Sequence, residues 1–424
     1  MKQLNDRTPS IALITRTKTI NQGNQALSVA WRDYLAARYP EARVRLFERV
    51  PKYLRRYSVS ALAAERDPVA VFDRIARRLL HRISEHPGPD PSVWDVRLDP
   101  AQQRVFRLHR LRHALRLRSR IAALNLGASE YLNRLSHLTQ ADLVVVNPAG
   151  EFHASSSDTA LLYLLEARCA QLAGCRTAFV NLSFEVVDPT VILLSGHVFA
   201  ACDVVEFRDE ESRVRLEKQA GDRGVVVLPD GVIMSEVSPA KTIGGNGLAL
   251  AIAGPQIAEQ GFTPTVREVI STLSGKGKLT LTSNEWATDR PHWNSYLDVA
   301  NITFSGHGLY FDDYARFLAA FDVVVSSRLH TCVLGMLAGA VIVPIECGTF
   351  KLTGFFNQIG MRNEPIRIGS DNWQVNLINK IEEVQTSRDA RLAIQNKKIN
   401  RAVRALRSGL DDAFDQEILI RANS

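Results

Sequence analysis

Residues Phe321–Gly354 read FDVVVSSRLHTCVLGMLAGAVIVPIECGTFKLTG. The apolar run Val323–Val325 stops abruptly at Ser326–Ser327–Arg328–Leu329–His330, and helical spacing then leads into a second apolar run, Val341–Ile345. Strand, polar loop, helix and strand is the repeat from which open parallel sheets are built. Ligands of such sheets bind beyond the carboxyl ends of the strands, because the next helix begins there with unpaired N–H groups that favour anions. Arg328 and His330 stand at that place, in the loop this reading assigns.

Outward from this stretch the same alternation recurs. Ile11–Thr15 reads as a strand, and the loop from Arg16 to Asn24 leads into a helix through Ala26, Val29, Ala30 and Tyr34. Further strands are predicted at Asp142–Asn147, Thr177–Leu182, Asp203–Phe207 and Val225–Leu228, with helices over Thr159–Leu172 and Glu210–Gln219 between them. After a polar, Gly-rich passage, Ser235–Gly247, strands follow at Leu248–Ala253, Lys278–Thr282, Ile302–Phe304, Asp322–Ser326 and Val341–Ile345. The pattern predicts an α/β protein of two domains, 1–240 and 247–385. Residues 51–140 break it: they are Arg-rich, interrupted by HPGPDP at 86–91, and predict a helical insertion in the first domain. Within 104–120, Leu108, Leu111 and Leu115 share one face and arginines fill the rest. Leu392, Ile399, Val403, Leu406 and Leu410 predict a long amphipathic helix in 386–424 that packs back on the first domain.

A chain of 424 residues, 46% of them hydrophobic, can bury a large core. No window approaches the roughly twenty apolar residues of a membrane span, so a cytoplasmic protein is expected. Five cysteines without metal-ligand spacing predict reduced core thiols and no metal site. The net charge of +7 suits acidic partners, such as a phosphorylated small molecule, an anionic glycan or a lipid surface. With 7% aromatic residues and no basic stripe interleaved with aromatics, nucleic acid is not an expected partner. The Arg-rich face in 104–120 is read either as a solvated surface or as a peripheral contact with an anionic membrane.

Five loops at predicted strand ends carry polar residues that a core does not require. In Asn21–Gln22–Gly23–Asn24–Gln25 a glycine between amides lets backbone approach a ligand, although a plain loop and helix cap explains it as well. Asn147–Pro148–Ala149–Gly150–Glu151–Phe152–His153 offers a histidine to the cleft or to solvent. In Arg208–Asp209–Glu210–Glu211–Ser212 the acids suit a helix start, whereas Arg208 opposes the helix dipole unless an anion, a ligand or Glu210, lies beside it. Arg328 brings a planar fork for carboxylate or phosphate and His330 an exchangeable proton, unless both are buried against backbone carbonyls. Lys351 either reaches the same anion or is a surface lysine.

With these residues in view, the chain resembles the polysaccharide pyruvyl transferase family. The resemblance rests on Ser327–Arg328–Leu329–His330 with Val343–Pro344–Ile345, Lys351 and Gly354–Phe355, on Phe207–Ser212 with Leu228–Pro229–Asp230, on Asn21–Asn24 and on Leu143–Val146. It implies two Rossmann-like, GT-B-like domains and a reaction without cofactor, in which phosphoenolpyruvate gives its pyruvyl group to two hydroxyls of a glycan or lipid-linked sugar. By the same resemblance, His330 is the acid and His153 a second catalytic histidine. Arg328, Arg208, Leu329, Lys351, Asn21 and Gly23 bind substrate. The chain departs from the family's pattern at Asn24, where Asp is usual, and at Pro148–Ala149–Gly150, where a glycine triplet is usual.

Two other readings stay open on sequence alone. One is a nucleotide-sugar-dependent glycosyltransferase of GT-B fold, although Glu346 has no second glutamate eight residues on, where Gly354 stands. The other, prompted by the altered loops at Asn24 and Pro148, is a non-catalytic scaffold of a polysaccharide assembly.

Overall fold

The computed structural model describes residues 8–16, 19–48, 58–83, 88–92, 131–153, 156–220, 225–238, 240, 245, 247–306 and 308–415. They form two compact units. The first comprises the described parts of Met1–Lys18, Trp31–Val227 and Gly409–Ser424, and the second Thr19–Ala30 with Leu228–Ser408.

The first unit is built on six parallel strands: β1 Ser10–Thr15, β2 Arg43–Glu48, β3 Leu143–Val146, β5 Arg176–Leu182, β7 Val204–Phe207 and β8 Val225–Val227. Their order across the sheet is β2-β1-β3-β5-β7-β8, and the two-residue strands β4 Phe152–His153 and β6 Phe184–Glu185 pair separately. Strands β1, β3 and β7 are buried along their whole length, as expected when helices cover both faces of a parallel sheet. The core gathers Phe47, Phe72, Leu135, Phe152, Phe179 and Phe199 between the sheet and helices Pro68–Ile83, Ser157–Leu172 and Pro189–Phe199.

Besides the two-residue strands β4 and β6, strand β2 and the helix Pro189–Phe199 had no counterpart in the sequence reading. β2 begins at exposed Arg43 and alternates charged with apolar residues through Arg45, which is itself buried, so it lacks the apolar run of its neighbours. The helix Pro189–Phe199 is apolar almost throughout and shows no amphipathic period. Its start is nonetheless well marked, with Pro189 in the first turn and the Asp188 carboxylate accepting from the N–H groups of Thr190 (2.9 Å) and Val191 (3.2 Å).

The second unit holds β9 Leu248–Ala251, β10 Leu279–Leu281, β11 Ile302–Phe304, β12 Val323–Ser326, β13 Ile342–Glu346 and β14 Ile366–Arg367, all parallel, in the order β11-β10-β9-β12-β13-β14. Counted within the sheet this is 3-2-1-4-5-6, the doubly wound order, and the winding reverses between β9 and β12. In the first sheet the reversal falls between β1 and β3. The α/β class with two Rossmann-like sheets is therefore what the chain folds into.

The units divide at Val227–Leu228, ahead of the Gly-rich passage where the sequence suggests a boundary. Thr19–Ala30 groups with the second unit because Gln22 donates to the carbonyls of Asn284 (3.2 Å, from N–H) and Leu309 (3.1 Å, from Nε2). The final helix, Arg388–Ala413, is anchored in the second unit by Gln395, which bonds the Ile342 N–H and the Ala340 carbonyl. From Gly409 onward the chain belongs to the first unit, where Arg38 Nε donates to the Phe414 carbonyl at 2.8 Å and Trp31 and Tyr34 pack on the Phe414 ring. Of the insertion at 51–140, the described parts are helices Val59–Ala63, Pro68–Ile83 and 131–138 and the short segment 88–92. The Arg-rich pattern of 104–120 lies outside the described residues.

Candidate functional site

At the carboxyl edge of the second sheet, serines turn the chain from β12 into the next helix. Ser326 Oγ accepts the Arg328 N–H at 2.9 Å, and Ser327 Oγ accepts the Ala253 N–H at 2.7 Å, tying the end of β12 to the segment that follows β9. Arg328 keeps an extended backbone as the N-cap, and the helix Leu329–Leu337 starts immediately. Leu329 and His330 are thus in the first turn of a helix, not in a loop as the sequence suggested.

Arg328 meets two carboxylates in place of the open fork that the sequence reading pictured. Its Nε donates to Asp289 Oδ2 at 3.1 Å and its Nη1 to Glu285 Oε2 at 3.0 Å, while Nη2 bonds Asp289 Oδ1. Asp289 is fully buried, and it also accepts from Gly254 N–H (3.0 Å), after β9, and from Ser283 Oγ, after β10. One carboxylate therefore fastens three strand ends. Burial works against the Arg328 charge, but Asp289 and Glu285 outweigh it and hold the guanidinium above its usual range.

His330 is nearly buried, with 12% of its side chain exposed. Its Nε2 makes no hydrogen bond among the described residues, and the carboxylate oxygen Oδ2 of fully buried Asp230 lies 3.5 Å away. The other side of the ring faces Gly23, where a Cβ would stand 2.0 Å from Nδ1. Gly23 lies in the first turn of helix Gln22–Arg38, so the reason for glycine is space for this imidazole and not a special turn. Asn24 is also helical, and its N–H donates to Asn21 Oδ1 at 3.1 Å. Asn21 Oδ1 further accepts from Asn284 Nδ2 (3.2 Å), and Asn284 Oδ1 accepts from Thr331 Oγ1 (3.1 Å). Arg328, Leu329, His330, Asn21 and Gly23 are thereby brought together within one unit.

Lys351, half-buried, opens the helix Lys351–Gln358 after β13. The preceding carboxylate, Glu346, is fully engaged at that helix start: it accepts the N–H groups of Leu352 and Thr353, each at 3.0 Å, and the Thr353 hydroxyl. Cys332, beneath the motif, is an inert core thiol that burial pushes up to about 12. None of the five cysteines is in a disulfide, and four of them are buried.

The remaining candidates lie in the first unit. His153, on β4, has its Nε2 2.7 Å from Ser156 Oγ, and its backbone is in register with Glu185 of β6. Arg208 follows β7, is 4% exposed, and donates its N–H to the Leu182 carbonyl at 3.1 Å. Asp209 caps the next helix through the Ser212 N–H (2.7 Å), as its position in the sequence suggests. Ala149 takes a left-handed backbone, φ 53°, in the loop where the sequence has no glycine triplet. Sequence reasoning missed Asp289, Glu285 and Asn284 altogether. The only signal was a polar stretch, Ser283–Asn284–Glu285, immediately after the strand Leu279–Leu281.

Residues 21–348 match the family described as Polysaccharide pyruvyl transferase. No curated protein matches the chain. Among solved structures, UDP-GlcNAc 2-epimerase from Neisseria meningitidis, bound to UDP-GlcNAc, has a TM-score of 0.51 and 10% identity over 95% of this chain and 100% of that one. A putative UDP-N-acetylglucosamine 2-epimerase from Listeria monocytogenes gives 0.49 and 11% over 96% and 98%, and spinosyn rhamnosyltransferase 0.44 and 9% over 95% and 100%. At such identity the likeness is one of fold.

Proposed function

The chain belongs to the polysaccharide pyruvyl transferase family, and from that premise we propose that it moves the pyruvyl group of phosphoenolpyruvate onto two hydroxyls of a sugar, as a ketal. The sugar belongs to a surface polysaccharide or its lipid-linked precursor, and the reaction runs in the cytoplasm. The observation that carries the reading is the position of Arg328–Leu329–His330: at a helix start on the carboxyl edge of the second sheet, beside the β9–β12 reversal where doubly wound sheets take anionic ligands.

His330 acts as the general acid. It gives a proton to the methylene carbon of the donor, the neighbouring carbon becomes cation-like, and a sugar hydroxyl adds there and loses its proton. The bond from that carbon to the phosphate oxygen then breaks, a second hydroxyl adds, and the ketal and inorganic phosphate leave. Of the two hydroxyl protons released, one makes good the proton placed on carbon and the other leaves with phosphate. Lys351 brings positive charge to the donor's side of this edge, while Arg328, tied to Asp289 and Glu285, frames the donor site by holding the strand ends, with Leu329, Asn21 and Gly23 shaping it. His153 and Arg208 enter as residues of the first unit whose replacement by alanine lowers turnover.

The test uses the purified full chain with phosphoenolpyruvate and methyl hexopyranosides as acceptors. Acceptor-dependent phosphate release, together with a new ketal methyl signal in proton NMR, is expected, and His330→Gln should lower the release by about 100-fold or more. Release that His330→Gln leaves unchanged overturns the assignment. The glycosyltransferase reading gains no support from Glu346, whose oxygens are taken by a helix start.

A further inference from the structure

We infer that Asp230 is the positioning residue of His330: a buried carboxylate that orients the imidazole through Nε2 and balances its charge, leaving Nδ1 to carry the proton to the donor. The inference rests on the proposed role of His330 as the acid. Asp230 is fully buried and follows Pro229 just after the last strand of the first sheet, at the entry to the short 3-10 turn Gly231–Met234. Its two oxygens have separate tasks. Oδ1 accepts the Val232 N–H at 2.9 Å and so caps the turn, whereas Oδ2 points to His330 Nε2 across 3.5 Å.

That nitrogen is buried and lacks a hydrogen bond among the described residues. A buried polar atom in this condition is costly unless something meets it, and a shift of a few tenths of an ångström turns the present gap into a charge-assisted bond. The ring is already restricted on its other side. Gly23 lies so close that a Cβ would overlap Nδ1, Cγ and the His330 Cβ at 2.0, 2.3 and 2.4 Å. Asp230 on one side and bare backbone on the other therefore set the ring plane. A carboxylate on the far nitrogen of a catalytic histidine holds the tautomer and stabilises the imidazolium without itself exchanging the proton.

The cap supplies a control that separates positioning from folding. In Asp230→Asn the amide oxygen still accepts the Val232 N–H and the volume is kept, so the turn survives while the charge is removed. The full chain labelled with ¹⁵N-histidine is compared as wild type and Asp230→Asn by long-range ¹H–¹⁵N correlation, with His330 assigned by its loss in His330→Gln. In the wild type Nε2 is expected to carry a slowly exchanging proton, and in Asp230→Asn this signature is lost or the tautomer switches. Phosphate release from phosphoenolpyruvate with methyl hexopyranosides should show kcat lowered by about 10-fold to 100-fold, with the donor KM and the melting temperature unchanged.

An Nε2 signature identical in both proteins overturns the inference, as does an unchanged kcat in a wild type that turns over. If the signature changes but the wild type releases no phosphate with any acceptor, the pairing stands and the pyruvyl-transfer reading is what fails.

Discussion

The two units bury arginine–carboxylate pairs in different places. In the first, Arg134 and Glu166 meet between helices, Nε to Oε1 at 2.6 Å and Nη2 to Oε2 at 3.2 Å, with Glu166 fully buried. In the second, Arg328 meets Asp289 and Glu285 at the ends of strands. Among the described residues Arg134 is the hydrogen-bond partner of Glu166, whereas Asp289 also receives Ser283 Oγ and the Gly254 N–H. A pair in the helix layer holds helices together. A carboxylate at strand ends holds strand-to-helix connections in register, and one of these carries Arg328 and leads directly into the helix turn that bears His330.

The largest effect expected from this contrast is on stability in the first unit. Glu166→Ala leaves Arg134 buried without its counter-charge and should cost about 3–5 kcal/mol, read from urea unfolding of the full chain. The paired change Arg134→Met with Glu166→Leu should recover most of that, because apolar groups of similar size replace a buried ion pair at little cost. Burial already pushes the Glu166 carboxyl up, with Arg134 pulling it back, which is the same penalty seen from the proton's side. If the paired change removed pyruvyl transfer while restoring stability, the distinction between a holding pair and a site-forming pair would collapse.

At the strand-end site the expected loss falls on activity instead. Gly23→Ala places a methyl group 2.0 Å from His330 Nδ1, and the ring has Asp230 on its other side. The variant should lose about 1–3 kcal/mol by overpacking, despite the usual gain of alanine over glycine in a helix, and turnover should fall about 100-fold as the imidazole is displaced. Higher stability with full activity would show that the ring and this backbone are not in contact in solution.

The uneven legibility of the two sheets has a physical origin. Strands such as Leu143–Val146 and Val323–Ser326 announce themselves because both faces are buried and β-branched runs result. β2 does not, because its first residues face solvent. Arg328 and His330 were readable from their place between a strand and a helix. Their partners were not: Asp289 and Asp230 are distant in sequence from the groups they serve, and an acid in a polar stretch looks the same whether it is solvated or holds three strand ends. Gly23 reads in the sequence as a place where backbone approaches a ligand, whereas in the fold the His330 ring lies against it, since nothing local encodes the arrival of a side chain more than three hundred positions later.

A smaller, pH-dependent effect again belongs to the helix layer of the first unit. Asp73 accepts from Arg168 Nε (2.7 Å) and Nη2 (2.8 Å) and has His197 Nε2 at 3.1 Å, linking Pro68–Ile83 with two further helices. The hydrogen bonds from Arg168 hold its carboxyl below the usual carboxylate range, burial opposing and His197 adding to the effect. A lowered acid contributes stability above the ordinary carboxylate range and loses it as pH falls through its folded value. Melting temperatures measured against pH should therefore place wild type above Asp73→Asn near neutrality, with the two curves converging in acid. A difference that persisted unchanged at the acid end would show that the contribution is packing and not charge.

The smallest effect lies at the first sheet's own strand-end edge. Ala149 sits at φ 53°, 7% exposed, with its N–H donating to Asn147 Oδ1 at 3.3 Å. Every other positive-φ residue that is not glycine among those described is asparagine, whose side chain can bond locally in that conformation. Alanine has no such compensation. Ala149→Gly removes a left-handed penalty of about 1–2 kcal/mol and adds about 0.5–1 kcal/mol of backbone entropy, so a net gain of about 0.5–1 kcal/mol is expected, with turnover within about twofold of wild type. That result would mark the strain as incidental and leave the second sheet's edge as the one whose geometry the chemistry depends on. A gain in stability accompanied by a fall in turnover would mean that the strained turn positions a reacting group, and the first sheet's edge would then share the role argued here for the second.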